Sequence, residues 1–124
     1  MPLHSPLSTP ELRLGTWNAG LGFLSKLSAL VHRCVDLQLD IVAVQEIGDP
    51  ALLSTSLPHY HLIYSAGPSS HEGGVGLLLS QDLLSRCRTY KQSTTGRLAA
   101  AVLEFGHGKK LLVVSAYMLF FFFE

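Results

Sequence analysis

Three short stretches of this sequence are apolar without a break, at residues 41–44, 75–79 and 111–114. Successive side chains of a strand point to opposite faces of a sheet, so runs of this kind fit strands covered on both faces. Such a sheet needs a packing layer on each side. One layer is supplied by residues 24–39, whose apolar side chains recur every three to four positions, as in an amphipathic helix. These features predict a layered fold of helices and strands.

The other elements follow from alternating apolar and polar residues and from turn signals. Further strands are predicted at 12–18, 59–66, 86–93, 97–105 and 110–118. Asp49 followed by Pro50 is a helix-start signal and predicts a short helix over 50–57. Residues 106–108 form a tight connection that makes the last two strands a hairpin. The expected architecture is α/β or α+β, with one mixed sheet of about seven strands and two helices.

Composition and charge limit the class of protein. The chain has 124 residues, 48% hydrophobic and 15% charged, which excludes intrinsic disorder and a coiled coil and allows one domain at most. The formal net charge is zero, but residues 1–85 are acidic on balance and residues 86–110 are basic on balance. The basic segment predicts either a surface that contacts phosphates or a solvated strand edge that resists aggregation.

Cysteine content and the absence of targeting signals indicate the compartment. Cys34 and Cys87 are too few for a disulfide scaffold and lie in apolar patterns, which indicates buried, reduced thiols. Residues 1–10 lack the features of a signal peptide. The longest apolar stretch, 111–123, is shorter than the roughly 20 residues that span a bilayer. We therefore expect an intracellular protein, cytoplasmic or nuclear, with neither a membrane nor a disulfide-linked partner.

Polar side chains follow the first two predicted strands where each strand ends. Asn18 closes the first strand and Glu46 follows the second. If these strands are adjacent and parallel, an amide and a carboxylate meet at one edge, where they can share a hard cation or a phosphate. An exposed glutamate at a strand end is the alternative interpretation. A dinucleotide site is disfavoured, because Gly20 and Gly22 are not followed by the third glycine of that motif.

An ordered set of segments resembles the endonuclease/exonuclease/phosphatase superfamily. The segments are 12–18 with Ala19-Gly20-Leu21, 40–46, 74–78, 96–97 with the strand that follows, and 113–117. Together they span about residues 11–118 and look closest to the exonuclease III-like and retrotransposon endonuclease branch. Inositol-phosphate phosphatases and neutral sphingomyelinases belong to the same superfamily, so a fragment of either is an alternative interpretation.

The resemblance implies roles for four residues. Glu46 matches the family's metal-binding glutamate, which holds Mg²⁺ (or Mn²⁺) on a phosphate oxygen, and Asn18 matches an asparagine that positions the acids and the phosphate. Tyr117 matches a tyrosine that hydrogen-bonds the scissile phosphate, and Arg97 lies where the family contacts the nucleic-acid backbone. The implied activity is Mg²⁺-dependent phosphodiester hydrolysis, with DNA as the expected partner. From the residues alone, the alternative interpretation of Arg97 is an ordinary strand-edge residue. The alternative interpretation of Tyr117 is a core or interface aromatic.

The sequence after Tyr117 departs from the family pattern. The aspartate-x-asparagine segment and the final aspartate-histidine pair of the family have no counterpart, and residues 119–124 are an aberrant apolar tail. The resemblance implies a four-layer α/β sandwich, of which this chain supplies the N-terminal half, 11–118, after a disordered segment, 1–10. We therefore expect a truncated product that is inactive alone and aggregation-prone. A non-catalytic or non-functional product is the remaining alternative.

Overall fold

The computed structural model describes residues 11–20, 22–50, 57–68 and 73–117. In chain order the elements are β1 (Leu14–Asn18), α1 (Phe23–Asp36), β2 (Ile41–Gln45), β3 (Tyr60–Ser65), β4 (Val75–Ser80), α2 (Gln81–Leu84), β5 (Cys87–Gln92), β6 (Leu98–Glu104), a 3₁₀ turn (Gly106–Gly108) and β7 (Lys110–Ala116). The seven predicted strands and the long helix are confirmed. The predicted helix 50–57 falls largely outside the described residues, as do the segments 1–10 and 119–124.

The seven strands form two sheets, whereas the sequence patterns predict one. The first sheet is mixed, with the order β1-β2-β4-β3, in which β1 and β2 are parallel and the other neighbours antiparallel. The second sheet is antiparallel, with the order β5-β6-β7. The α/β class is confirmed, but strand patterns do not encode the number of sheets, because strand pairing depends on contacts distant in sequence.

Helix α1 covers one face of the first sheet. Its buried side chains recur at helical spacing: Phe23, Leu27, Val31 and Cys34. Gly22 precedes the helix with a left-handed φ of 84°, a conformation that glycine adopts without strain. The helix ends three residues earlier than predicted. The buried helix residues form one apolar core with residues of the first sheet, Val42, Val44, Leu62 and Leu78.

The second sheet covers the other face of the first sheet. A second apolar core contains first-sheet residues, Ile41, Ile63, Leu77 and Leu79, together with second-sheet residues, Ala101 and Leu103, and Leu83 of α2. Both faces of β2 and β4 are therefore buried, which accounts for their unbroken apolar runs. The described chain is thus three layers, helix on sheet on sheet.

The run 111–114 differs from the expectation that both of its faces are covered. Leu111 and Val113 face the core between the sheets, but Leu112 is 64% exposed and Val114 is 45% exposed. The outer face of the second sheet carries no packing layer among the described residues.

Among the residues that the structure describes, no helix is long and apolar enough to cross a membrane, and both cysteines are free thiols.

Candidate active site

The ends of β1 and β2 meet at one edge of the first sheet. The two strands are parallel, and Asn18 is paired in register with Gln45. The pairing continues one residue further, because the Ala19 N–H donates to the Gln45 carbonyl at 2.8 Å. Glu46 follows Gln45 directly. The structure therefore places Asn18 and Glu46 at the same edge.

The side chain of Asn18 is held by the turn that follows it. Its Oδ1 accepts a hydrogen bond from the Gly20 N–H at 3.0 Å, in an Asx turn. Gly20 has a positive φ of 62°. With the oxygen engaged in the turn, the Nδ2 amino group of Asn18 is left to donate toward an acceptor at this edge.

Glu46 adopts a strained backbone conformation. Its φ is 55°, in the left-handed region that costs a residue with a side chain about 1–2 kcal/mol. The next two residues hold it there: the Ile47 N–H donates to the Gly74 carbonyl at 3.2 Å, and the Gly48 N–H donates to the Gly73 carbonyl at 2.8 Å. Such outliers concentrate at functional sites, where the surrounding structure imposes them. The half-buried Glu46 side chain thus leaves the strand in an imposed direction.

Four glycines bring four backbone segments together beside Glu46. In this glycine junction (Gly48, Gly67, Gly74 and Gly96), the Gly67 N–H donates to the Gly48 carbonyl at 2.9 Å and the Gly74 N–H to the Gly96 carbonyl at 3.0 Å. A Cβ on Gly74 would lie 2.2 Å from the Gly48 oxygen. A Cβ on Gly96 would lie 2.6 Å from the Ala66 oxygen. Only glycine fits these approaches, which fix the position of the residues that follow Gly48 and Gly96.

Arg97 is positioned by a serine cluster beside the glycine junction. The buried Ser65 donates its hydroxyl to the Ser93 carbonyl and accepts from the Gly96 N–H at 3.0 Å. The Arg97 N–H donates to the Ser93 hydroxyl at 3.3 Å. This cluster anchors the β5–β6 turn to the end of β3. The Arg97 side chain itself is exposed.

Tyr117 and Arg97 share the edge that carries Asn18 and Glu46. The Tyr117 N–H donates to the Arg97 carbonyl at 2.9 Å. Two residues earlier, the buried Ser115 contacts the end of β2, since its hydroxyl donates to the Val44 carbonyl at 3.2 Å. We call Asn18, Glu46, Arg97 and Tyr117 the site edge. All four residues singled out in the sequence lie on it.

Gln45, Ser115 and Lys26 also support the site edge and were not predicted. Gln45 accepts from the Thr16 hydroxyl and donates to the Ser115 hydroxyl, both at 3.4 Å. Lys26 of α1 donates its Nζ to the Ala19 carbonyl at 3.0 Å. Position 115 faces the protein interior in an otherwise apolar strand, so a serine there is a sequence signal that could have identified Ser115 as a supporting residue. Lys26 gives none, because it shares its helix face with solvent-facing residues.

The donor set at the site edge fits a cation that keeps most of its water. Among the described residues, no group of three or more His, Cys, Asp or Glu side chains could hold a metal ion. Mg²⁺ needs no such cage, because it retains several waters and binds through one or two carboxylates and a substrate phosphate. The Glu46 carboxylate fits that coordination. An ion that requires three or four protein ligands does not fit the described part of this edge.

A cleft of about 920 Å³ lies at the opposite end of the first sheet. Its lining includes Asp40, which accepts from the Arg13 N–H at 2.8 Å, and Tyr60, which donates its hydroxyl to the Leu39 carbonyl at 2.7 Å. Burial raises the pKa of Tyr60 to about 12, with the charges of Cys34 and Asp40 adding to the effect. These polar groups are engaged in structural contacts, and the cleft is separate from the site edge.

The layers and strand order define an α/β fold in which a helix and a second sheet cover the two faces of a mixed sheet. Among solved structures, the chain is similar to the crystal structure of D. rerio TDP2 complexed with single strand DNA product. The TM-score is 0.56 and the identity 21%, over 83% of this chain and 44% of that chain. No protein-family model and no curated protein matches the chain.

The likeness to TDP2 confirms the fold that the sequence motifs predict. This chain spans less than half of the TDP2 chain. The exonuclease III-like and retrotransposon branch and the roles of individual residues stay predictions.

Proposed function

We propose that this chain carries the metal-binding part of a Mg²⁺-dependent phosphodiester hydrolase of the endonuclease type, acting on DNA. The observation that carries the proposal is the register pairing of two parallel strand ends, which sets Asn18 beside the residue that precedes Glu46. Arg97 and Tyr117 reach the same edge through the hydrogen bond between their backbones. The likeness to TDP2, a structure solved with single strand DNA product, supports a nucleic-acid substrate.

In this proposal Glu46 is the protein ligand of the cation. A carboxylate that leaves the strand at an imposed angle keeps the ion at one place relative to the sheet. When bound, Mg²⁺ supplies positive charge that offsets the charge developing on the phosphate oxygens. The half-buried setting of Glu46 strengthens its attraction to a cation relative to a fully solvated carboxylate.

The other residues of the site edge bind and orient the phosphate. Asn18 presents its Nδ2 donor, because its Oδ1 is engaged by the Gly20 N–H. The Tyr117 hydroxyl donates to a non-bridging oxygen, and the exposed Arg97 guanidinium contacts the next phosphate of the backbone. Hydrogen-bond donors aimed at a phosphate stabilise the charge that hydrolysis places on it.

We propose that the chain alone binds a metal and phosphate but does not cleave. The four residues of the site edge include one carboxylate, Glu46, which the proposal assigns to the cation, and no histidine, so these four supply no separate general base for water. Plasmid DNA incubated with the chain and Mg²⁺ is therefore expected to stay supercoiled. Nicking that is lost in Glu46→Ala would contradict this inactivity, and nicking that survives in Glu46→Ala would contradict the site assignment.

Paramagnetic broadening tests the metal site without any need for turnover. The ¹⁵N-labelled chain is titrated with Mn²⁺ in the presence of thymidine 5′-monophosphate, and amide signals are followed. We expect signals of residues 18, 19 and 45–47 to broaden first, and Glu46→Gln to abolish the effect. Asp82→Asn is the matched control, because Asp82 is an exposed carboxylate on α2 at the opposite end of the sheet. Broadening unchanged in Glu46→Gln would overturn the proposal.

A further inference from the structure

The cleft at the end of the first sheet opposite the site edge has the size of a ligand pocket. Its volume of about 920 Å³ falls within the range of about 300–1,000 Å³ that is typical of small-molecule sites. Its lining comes from four parts of the chain: 11–13, 35 with 38–40, 59–60 and 80–82. None of these residues belongs to the site edge, so the cleft is open to a ligand of its own.

Asp40 lines this cleft as a buried carboxylate with one oxygen left over. Its side chain belongs to a residue that is 4% exposed. Its Oδ2 accepts from the Arg13 N–H at 2.8 Å, whereas its Oδ1 accepts no hydrogen bond from the part of the chain that the structure describes. A buried carboxylate oxygen without a donor costs free energy. A donor held in the cleft would remove that cost.

Two other lining residues have their donors engaged and their acceptors left. The Gln81 Nε2 donates to the Tyr60 carbonyl at 3.1 Å and to the Leu57 carbonyl at 3.4 Å. Both of its N–H groups are thereby used, and its Oε1 remains to accept. The Tyr60 hydroxyl donates to the Leu39 carbonyl, so its oxygen lone pairs remain. With Asp40, these residues give the cleft a lining of acceptors, which a ligand rich in donors would match.

The charge of the lining favours a positive ligand. Among the described lining residues, three carboxylates stand against one guanidinium: Glu11, Asp40, Asp82 and Arg13. Glu11 and Asp82 are exposed, and carboxylates on the walls of a cleft concentrate cations in it. Three lining side chains are apolar: Leu12, Val35 and Leu39. The lining therefore combines negative charge and free acceptors with a surface for a hydrocarbon chain.

We propose that this cleft binds a linear alkyl diamine, with one ammonium group on Asp40 and the alkyl chain on the apolar lining. An ammonium group has three donors and no acceptor, which is the complement of the acceptors left in the cleft. Asp40 offers one free oxygen, so a compact ammonium suits it better than a guanidinium fork, which pairs with two. Glu11 and Asp82 attract the second ammonium group. This site is independent of the proposed function.

A titration of the ¹⁵N-labelled chain with 1,4-diaminobutane tests the site without metal or turnover. We expect saturable shifts in the amide signals of the four lining segments, 11–13, 35 with 38–40, 59–60 and 80–82. Butane-1,4-diol has the same chain length and no charge, so it should leave these signals in place. Shifts of equal size with the diol, or no saturable shift with the diamine, would overturn the inference.

Two variants measure the part that charge plays in the cleft. Asp40→Asn keeps an acceptor for the Arg13 N–H and removes the charge, so it should weaken diamine binding about 10- to 150-fold, the range for a hydrogen bond to a charged group. Asp82→Asn removes an exposed carboxylate and should weaken binding about 1.5- to 5-fold. Diamine affinity equal to that of the parent in Asp40→Asn would contradict the assignment. If circular dichroism shows that Asp40→Asn is unfolded, Asp82→Asn and the diol decide.

Glu46→Gln is the matched control, because it removes one carboxylate at the opposite end of the first sheet. It should bind the diamine as the parent does, and an equal loss in Glu46→Gln and Asp40→Asn would show attraction to net charge in place of a site. The two proposals are separable with the same variants. Failure of the metal site shows as Mn²⁺ broadening that does not depend on Glu46, whereas failure of the cleft shows as diamine shifts that do not depend on Asp40.

Discussion

Ser115 joins the two sheets, since its hydroxyl donates across the sandwich to the Val44 carbonyl at 3.2 Å. The same oxygen accepts from the Gln45 Nε2 at 3.4 Å. Ser115 is 1% exposed, so water does not replace either bond. These contacts hold the end of β7 against the end of β2. They therefore fix the position of Tyr117, which follows β7, relative to Glu46, which follows β2.

Replacing Ser115 by alanine should destabilise the protein by about 1–3 kcal/mol. The variant removes the acceptor of the half-buried Gln45 Nε2 group and the buried hydroxyl that donates to the Val44 carbonyl. Urea unfolding followed by circular dichroism measures the loss. Ser85→Ala is the matched control, because the Ser85 hydroxyl donates to the Asp82 carbonyl at 3.0 Å on the exposed surface. Ser85→Ala should lower the free energy of unfolding by no more than about 0.5 kcal/mol. Equal decreases for the two variants would contradict the role of Ser115.

Gly74→Ala should disrupt the site edge far more than Gly108→Ala. Both glycines have positive φ, 84° and 71°, so both variants carry a backbone cost of about 1–2 kcal/mol. At Gly74 the new Cβ also meets the Gly48 oxygen at 2.2 Å, whereas at Gly108 it meets nothing within 4 Å. The difference between their free energies of unfolding therefore isolates the close approach in the glycine junction.

Spectra of the two glycine variants test the link to function. Gly74→Ala should lose the Mn²⁺-induced broadening near Glu46, because the Gly74 carbonyl accepts the Ile47 N–H. Gly108→Ala should keep it. If the two variants unfold at the same urea concentration, the packing argument for Gly74 is wrong.

The sequence predicted the elements of this fold better than their arrangement. Apolar runs identified β2 and β4, and three-to-four spacing identified α1, because burial imposes those patterns directly on the residues. The division into two sheets depends on which strands pair, and that is decided by contacts between residues far apart in the chain. The segment 74–78 formed part of the family resemblance, but only the structure shows the Gly48 oxygen that requires a glycine at position 74.

The site edge was likewise predictable only in part. Asn18 and Glu46 were predictable neighbours, since residues at the ends of adjacent parallel strands share an edge. The positive φ of Glu46 and the anchoring of Arg97 through Ser65 were not predictable. Both depend on hydrogen bonds between segments 25 to 31 residues apart in the chain.

Alkaline pH should destabilise the protein partly through Tyr60. Its pKa in the folded protein is raised to about 12, above the value of about 10 in an unfolded chain. The folded state therefore holds the proton more tightly, and the stability linked to Tyr60 is complete below pH 10 and is lost as the pH rises toward 12. Urea unfolding at pH values from 8 to 12 measures how the free energy of unfolding changes with pH.

Tyr60→Phe should flatten that pH dependence. The variant is less stable at pH 8, because the Leu39 carbonyl loses its hydrogen bond from the Tyr60 hydroxyl. Burial also raises the pKa of Cys34 and Cys87, and both thiols are present in parent and variant. The difference in free energy of unfolding between the parent and Tyr60→Phe should therefore narrow from pH 10 to pH 12. If the two free energies fall in parallel over this range, the predicted effect of Tyr60 is wrong.

Self-association should depend on the outer face of the second sheet. Cross-strand pairs place six apolar residues together on this face: Leu98 and Ala116, Ala100 and Val114, and Val102 and Leu112. An apolar patch that no described element covers favours aggregation. Leu112→Lys puts a charge in its middle and should shift the chain toward monomer in sedimentation velocity at micromolar concentration. Because Leu112 is already 64% exposed, the urea midpoint should change little.

Leu14→Lys is the control for the outer face. Leu14 is exposed to the same extent, 64%, but lies on β1 at the edge of the first sheet, away from the six-residue patch. If the patch drives association, only Leu112→Lys should lower the sedimentation coefficient. If both variants lower it equally, association depends on net charge, since each adds one positive charge to a chain whose formal charge is zero. Equal effects would contradict the assignment of the outer face as the self-association surface.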